Sequence, residues 1–312
     1  MRVLVSGANG FVGRALCAAL TPHHQVYGTT RHAGAQLPAG VLPVVWDGTA
    51  AGLGALPEVD AVIHLAARVH VMDEHAADPL AAFRSANVDM TRDLALWAAS
   101  RGVKRFVFMS SIKVNGEATA PGKAFHADDV PAPEGAYGLS KLEAEQALRS
   151  VCGHSDMAFV VIRPPLVYGP GVRGNFASML RWVKRRIPLP LGAISNRRSL
   201  VGLDNLVCFT RRCLEHPAAA NQVFLVSDGE AVSTTDLLRG IAEAYGIQPR
   251  LISVSPPGLR WIACLLGKSK IADRLLSSLV VDGGKGCELL AWQPVSTMKE
   301  QLRKIAQDDA LF

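Results

Sequence analysis

"RVLVSGANGFVGRALCAAL", residues 2–20, opens with a short apolar run and ends in helical spacing. Between the two lies Gly7-Ala8-Asn9-Gly10-Phe11-Val12-Gly13. Glycines at 7, 10 and 13 let the backbone turn tightly, approach a pyrophosphate and pack a helix against a strand. The helix N-terminus then offers its free N–H groups to the phosphates. A glycine triplet alone is a weak signal; a strand before it and a helix after it supply the context that gives it weight. The stretch therefore predicts a dinucleotide site made by Gly7, Asn9, Gly10, Phe11, Val12 and Gly13.

Working outward, apolar runs of strand length recur as HQVYGTT (24–30), VLPVVWD (41–47), AVIHLA (61–66), RFVFMSS (105–111) and AFVVIRP (158–164). They alternate with helix-spaced segments such as PLAAFRSANVDMTRDLALWAAS (79–100) and YGLSKLEAEQALRS (137–150). That alternation predicts an α/β fold with a doubly wound parallel sheet. After Pro164-Pro165 the rhythm loosens into Pro- and Gly-rich connections. The expected organisation is a cofactor-binding domain over residues 1–165 and a smaller C-terminal α/β substrate lobe over 166–312. SLVGLD (199–204) and QVFLVSD (222–228) are expected as strands of that second part, free to rejoin the main sheet.

Hydrophobic residues make up 49% of the 312 and charged residues 19%, which implies a large core and excludes a disordered chain. The N-terminus lacks the order of segments of a secretory leader, and apolar stretches such as LRWIACLLG (259–267) are too short to span a bilayer. A soluble, cytoplasmic protein with no membrane span is expected. Six cysteines form no C-x-x-C pair, so neither zinc nor redox chemistry is indicated and buried free thiols are expected. His64, His70 and His75 match no metal-ligand spacing, so no metal is expected.

The net charge of +6 is local. Arg173, Arg181, Lys184, Arg185, Arg186, Arg197 and Arg198 lie between Val172 and Arg198 without an acid. Without these seven, 26 basic residues face 27 acidic ones. An anion site is implied, with Arg198 its best candidate; Arg181 and Lys184 fit the solvated face of a helix. No aromatic platform or reading helix accompanies the basic run, so nucleic acid is not expected as a partner.

The end of the second strand bears on the cofactor. An acid there would accept bonds from the ribose 2′-OH of NAD, whereas an arginine accommodates the 2′-phosphate of NADP. "VYGTTRH" (26–32) has no acid and has Arg31, which favours NADP(H), with NAD possible. Asp47, ending the third strand, is placed either to bond the adenine amino group or to form a turn before Gly48.

Tyr137 and Lys141 are four residues apart where a helical pattern begins, so they share a face. A neighbouring ammonium lowers a phenol's pKa and makes it a usable acid or base. The plainer alternative is an amphipathic helix with Leu142, Ala144 and Leu148 buried and Glu143, Glu145 and Arg149 in water.

Taken in order, Gly7-x-x-Gly10-x-x-Gly13, HLAA (64–67), NV (87–88), SSIKVNG (110–116), Tyr137-x-x-x-Lys141, RPPLVYGPG (163–171) and RSLVGLDNL (198–206) resemble the extended short-chain dehydrogenase/reductases. The resemblance covers essentially the whole chain. It implies a Rossmann domain, with Leu65, Ala66 and Ala67 against the cofactor and Ser111, Tyr137 and Lys141 as catalytic residues. There Tyr137 exchanges a proton with the sugar oxygen, Lys141 holds the nicotinamide ribose, and Ser111 bonds the reacting oxygen. Ser110 is the alternative hydroxyl. Arg198 and Asn175 are expected on a nucleotide diphosphate, and Asn87 in a structural role near the site.

SSIKVNGE with RPPLVYGPG is most similar to bacterial 4-keto reductases of UDP-N-acetyl-6-deoxyhexoses, which serve O-antigen and lipopolysaccharide synthesis. The resemblance thus implies reduction of a C4 keto group of a UDP-sugar by NADPH, with the proton from Tyr137. The alternative is a UDP-hexose or UDP-N-acetylhexosamine 4-epimerase with tightly bound NAD; a non-catalytic NADP-binding regulator ranks below both. Asn115 stands where relatives often have the Tyr of "VYG", and Leu166 where 4-epimerases often have an Asn; Leu166 and the missing acid after the second strand both tilt the resemblance toward reduction. A homodimer through the helices near 76–100 and 137–151 is expected, and a monomeric mass in solution would remove that expectation.

Overall fold

The computed structural model describes residues 1–69, 78–265, 267 and 269–309. Among the described residues ten strands run β1 Arg2–Ser6, β2 Gln25–Thr30, β3 Leu42–Val45, β4 Ala61–His64, β5 Arg105–Met109, β6 Ala158–Arg163, β7 Leu166–Tyr168, β8 Arg198–Gly202, β9 Gln222–Leu225 and β10 Ala231–Val232. The helices in the first half are α1 Phe11–Leu20, α2 Pro79–Phe83, α3 Met90–Ser100 and α4 Gly135–Cys152. Those in the second are α5 Gly174–Lys184, α6 Leu203–Glu215, α7 Thr234–Ala244, α8 Pro256–Leu265, α9 Ser269–Leu276, α10 Gly284–Leu290 and α11 Met298–Asp309.

Seven strands form one sheet in the order β3-β2-β1-β4-β5-β6-β9, every pair parallel. The reason is legible in β1. Successive strand residues point to opposite faces, and both sets are apolar. Val3 and Val5 join Leu16, Cys17 and Leu20 of α1 and Leu206 and Phe209 of α6 in one core layer. Leu4 points the other way, into a layer with Leu94 and Ala98 of α3 and Ala144 and Leu148 of α4. A strand buried on both faces belongs inside a parallel sheet covered by helices. The order reverses between β1 and β4, which opens a crevice at their carboxyl ends, where such sheets bind ligands.

QVFLVSD supplies β9, which pairs with β6 and so rejoins the main sheet. SLVGLD supplies β8, but its last residues already belong to α6. Two strands escape the sequence pattern, β7 and β10, of three and two residues. They flank β8 in a second sheet of order β10-β8-β7. Tyr168, Phe176, Leu180, Leu200, Leu237, Ile241, Leu302 and Ile305 pack around it as a separate core, here called the lobe. Among the described residues, no helix is long and apolar enough to cross a membrane.

Segment 79–100 is one run of spacing in the sequence but is not one regular helix. α2 and α3 are joined by a π-helical turn, Arg84–Asp89. π-turns inside helices occur often at functional sites, and this one contains Asn87. His70, His75 and residues 76–77 of the expected dimer segment lie outside the described residues. Cys17, Cys152 and Cys213 are buried as expected, whereas Cys264 and Cys287 are exposed.

Candidate active site

Gly7 has φ +73°, a left-handed conformation open to glycine at little cost. A Cβ on Gly7 would also lie 2.9 Å from the backbone nitrogen of Ala66. On Gly13 it would lie 2.1 Å from the Gly7 carbonyl, so the first turn of α1 closes on the loop only without a side chain there. Gly10 occupies the cap position of α1 and no side chain caps it, which leaves the helix's first N–H groups open to an anion. The Ser6 hydroxyl accepts from the amides of Leu65 (3.1 Å) and Ala66 (3.2 Å), drawing the Leu65–Ala67 loop against the glycines. The dinucleotide motif and HLAA thus meet at the β1/β4 crevice.

Arg31 is exposed directly after β2. For Asp47 the turn is what the structure shows: its Oδ1 accepts from the Thr49 amide at 2.9 Å and hydroxyl at 2.8 Å. Those bonds hold its carboxyl below the usual range.

Ser111 follows β5, and Tyr137 and Lys141 lie on the first turns of α4. The Ser111 hydroxyl accepts from the Lys113 amide at 3.3 Å and lies on the phenol side of Tyr137, where it acts to lower the phenol's pKa. Ser110 faces elsewhere: its hydroxyl donates to Glu145 Oε1 at 2.5 Å. Adjacent extended residues point oppositely, so of the two serines Ser111 is the one beside the phenol. Lys141 is 2% exposed, with its Nζ 4.2 Å from the centre of the Phe108 ring. Among the described residues its ammonium has no hydrogen-bond acceptor. A buried donor without acceptors fits the hydroxyls of a ribose, and with the open α1 N-terminus it makes the crevice suited to a dinucleotide.

The expected depression of the tyrosine pKa by the lysine is not found in this state. Burial pushes the Tyr137 phenol up, with the neighbouring Ser111 hydroxyl opposing it. Burial also pushes Lys141 down to about 7, partly offset by Glu145, so near neutral pH its charge is incomplete.

Behind these groups lie two buried networks. In the first, Arg163 grips Glu145 with two bonds, Nε to Oε1 (2.9 Å) and Nη2 to Oε2 (2.7 Å). Its Nη1 donates to Asn115 Oδ1 at 3.0 Å. Asn115 is therefore a partner of Arg163. Glu145, expected in water on an amphipathic helix, is 1% exposed; the correction follows from Arg163, which ends β6 under α4. Tyr137, Lys141 and Glu145 form one i, i+4, i+8 stripe, the signal that would have placed Glu145 inside.

In the second network, Asn87 Oδ1 accepts from the Arg68 amide at 2.8 Å and its Nδ2 donates to Ser140 Oγ at 3.0 Å. Ser140 in turn donates to the Tyr137 carbonyl at 2.9 Å. Thr91 donates to the Asn87 carbonyl, so it accepts from His64 Nε2 at 3.1 Å, leaving His64 Nδ1 to accept from Ser6. Burial and Lys141 hold His64 neutral, its pKa lowered to about 3. The π-turn residue thus ties the cofactor loop to the tyrosine turn.

Arg198 begins β8 and is half-buried. Its Nη1 donates to the Arg274 carbonyl (2.9 Å) and the Ser277 carbonyl (3.1 Å). Burial and the charge of Arg274 lower its pKa, with Glu117 opposing. Two guanidinium groups held near each other are a place for an anion. Arg274 belongs to no motif in the sequence, which is why the sequence did not point to it. Asn175 is exposed in the first turn of α5, which has no side-chain cap. Lys184 pairs with Asp309 at 3.0 Å and Arg181 donates to Ser178, as residues of a solvated face do. A cavity of about 690 Å³ opens nearby, lined by residues including Arg197, Glu230, Asp236 and Arg239 and by no predicted site residue.

Residues 3–227 match the model of the NAD dependent epimerase/dehydratase family. The chain is 45% identical over 310 residues to a UDP-glucose 4-epimerase of Vibrio cholerae, covering 98% of this chain and 94% of that one. It is 27% identical over 321 residues to a GDP-6-deoxy-D-mannose reductase of Pseudomonas aeruginosa, covering 98% and 96%. Its fold matches the crystal structure of a UDP-glucuronic acid 4-epimerase from Bacillus cereus in complex with NAD. That match has a TM-score of 0.80 and 20% identity, and covers 100% of this chain and 99% of that one.

Proposed function

The chain belongs to the NAD dependent epimerase/dehydratase family of enzymes, and we propose that within it the protein is a 4-epimerase of a UDP-hexose or UDP-N-acetylhexosamine. The observation that carries this reading is the 45% identity to a UDP-glucose 4-epimerase along nearly the whole of both chains. The resemblance of its motifs had put 4-keto reduction first; this likeness reverses the order.

In this reading Tyr137 takes the proton from the sugar 4-hydroxyl and later returns it. Ser111, beside the phenol, donates to the same oxygen while charge develops there. Lys141 engages the ribose hydroxyls. Gly7, Asn9, Gly10, Phe11, Val12 and Gly13 hold the cofactor diphosphate at the α1 N-terminus, with Leu65, Ala66 and Ala67 closing over it. When bound, NAD supplies the hydride acceptor and donor for C4. The lobe carries the substrate: Arg198, with Arg274 and Asn175, holds the UDP diphosphate.

Replacing Arg198 by Ala is expected to raise KM for the UDP-sugar roughly 10- to 100-fold with a smaller change in kcat, the weight of charged hydrogen bonds to phosphate. An unchanged KM would remove the diphosphate assignment and favour a substrate without a nucleotide.

A second reading, reduction of a UDP-4-keto sugar with NADPH, is favoured by Arg31 and the lack of an acid at the end of β2. One experiment separates the two. The freshly purified protein is denatured and its released nucleotide identified by mass spectrometry, and UDP-hexoses are then supplied to intact enzyme without added cofactor. Near-stoichiometric NAD and interconversion of C4 epimers are expected. An empty protein that binds NADPH in preference to NADH and leaves UDP-hexoses unchanged would reject epimerisation in favour of reduction.

A further inference from the structure

LRWIACLLG is too short to cross a bilayer, yet the structure leaves it uncovered. Helix α8 has no buried residue; Leu259 and Ala263 lean on the lobe core. On its outer side Leu265 is 68% exposed and Trp261 67%, with Ile262 beside them at positions i, i+1 and i+4 of one face. Ile271 of the neighbouring α9 is exposed as well. The segment leading into α8 adds Ile252, and the one hydrogen-bonded to it, through Leu189 and Arg250, adds Ile187. A monomer rarely leaves so many large apolar side chains together without a partner for them.

The charges around these side chains indicate which partner. Arg185, Arg186, Arg250 and Arg260 are exposed along the same segments, and Asp273 is the one acid in α8 and α9. Tryptophan, leucine and isoleucine on one side with arginines at the margin is the composition of helices that lie in the plane of a membrane interface, the guanidinium groups meeting anionic headgroups. We propose that α8, α9 and segments 185–187 and 250–252 form a docking surface for an anionic lipid bilayer, on which the protein rests without spanning it. Helix α9 and the residue after it, Ser277, also hold Arg198. The docking does not depend on the reaction assigned above.

The test is cosedimentation of the full chain with vesicles of phosphatidylcholine alone or mixed with phosphatidylglycerol. Binding to the mixed vesicles, released by salt, and none to phosphatidylcholine alone is expected. Trp261→Ser/Leu265→Ser, with sites so exposed that folding and turnover are kept, is expected to lower the partition coefficient roughly tenfold or more. Arg185→Ser/Arg186→Ser provides an independent variant and is expected to weaken the dependence on phosphatidylglycerol. Wild-type protein left in the supernatant of both vesicle types, or both variants binding as wild type does, would overturn the proposal. So would a fall in the lipid-free solution mass of Trp261→Ser/Leu265→Ser, which would assign the face to a second copy of the chain.

Discussion

Tyr137→Phe is expected to lower kcat about a thousandfold while cofactor and UDP-sugar binding persist. The substitution removes one oxygen and little else. The ring keeps its edge contact with Phe83, whose centre is 5.9 Å away, and the backbone tie from Ser140 is untouched. Lys141 and the glycine loop, which are proposed to hold the cofactor, do not contact the phenol oxygen through any hydrogen bond in this structure. In the proposed reaction the lost step is proton exchange with the sugar oxygen, and a positioned acid or base contributes on the order of 10²–10⁴ in rate. Turnover by chromatography and cofactor binding by fluorescence titration check the two halves separately. Wild-type turnover would mean that Tyr137 is not the acid–base group, whatever the geometry beside Ser111.

Arg163→Met is expected to destabilise the protein by about 3–5 kcal/mol, because it leaves a buried carboxylate without its partner. Glu145 and Arg163 are 1% and 2% exposed. Loss of the guanidinium would strip two bonds from Glu145 and one from Asn115, leaving Ser110 to face the carboxylate alone. For a domain of this size the fall in Tm would be on the order of 10 °C. Adding Glu145→Gln to Arg163→Met removes the unpaired charge and is expected to restore much of the loss. Thermal unfolding of the single and double variants measures both. Equal Tm values for the double and single variants would show that volume, not charge, sets the cost.

How much of this was legible differs residue by residue. The glycine loop was readable because its spacing is set by backbone geometry, and backbone geometry leaves few choices of residue. Tyr137 and Lys141 were readable for a similar reason, since helical spacing puts them on one face. Their expected electrostatics were not, because burial acts on both groups and depends on what covers them: Phe83 and Phe108 come from distant segments. Glu145 was misplaced because a helical pattern rich in glutamate and arginine looks solvated until β6 brings Arg163 beneath it. Arg274 needed the tertiary structure, being 76 positions from Arg198. The strands β7 and β10 are too short to leave a period in the sequence.

The return of the chain to the main sheet as β9 bears on how such enzymes can exchange specificities. The lobe is not attached at one joint, like a module fused to the end of a carrier. The chain leaves the sheet after β6, builds β7, α5 and β8, and comes back to lay β9 against β6 before building the rest. A transplant of the lobe from a relative therefore has two seams to match within the lobe's own sequence. Its donor must also accept a strand that belongs to the other layer. Shuffling at Pro165 alone would divide a sheet, not separate two units. In this architecture, if Arg198 holds the substrate as proposed, new substrates are more readily reached by substitutions around it than by recombination.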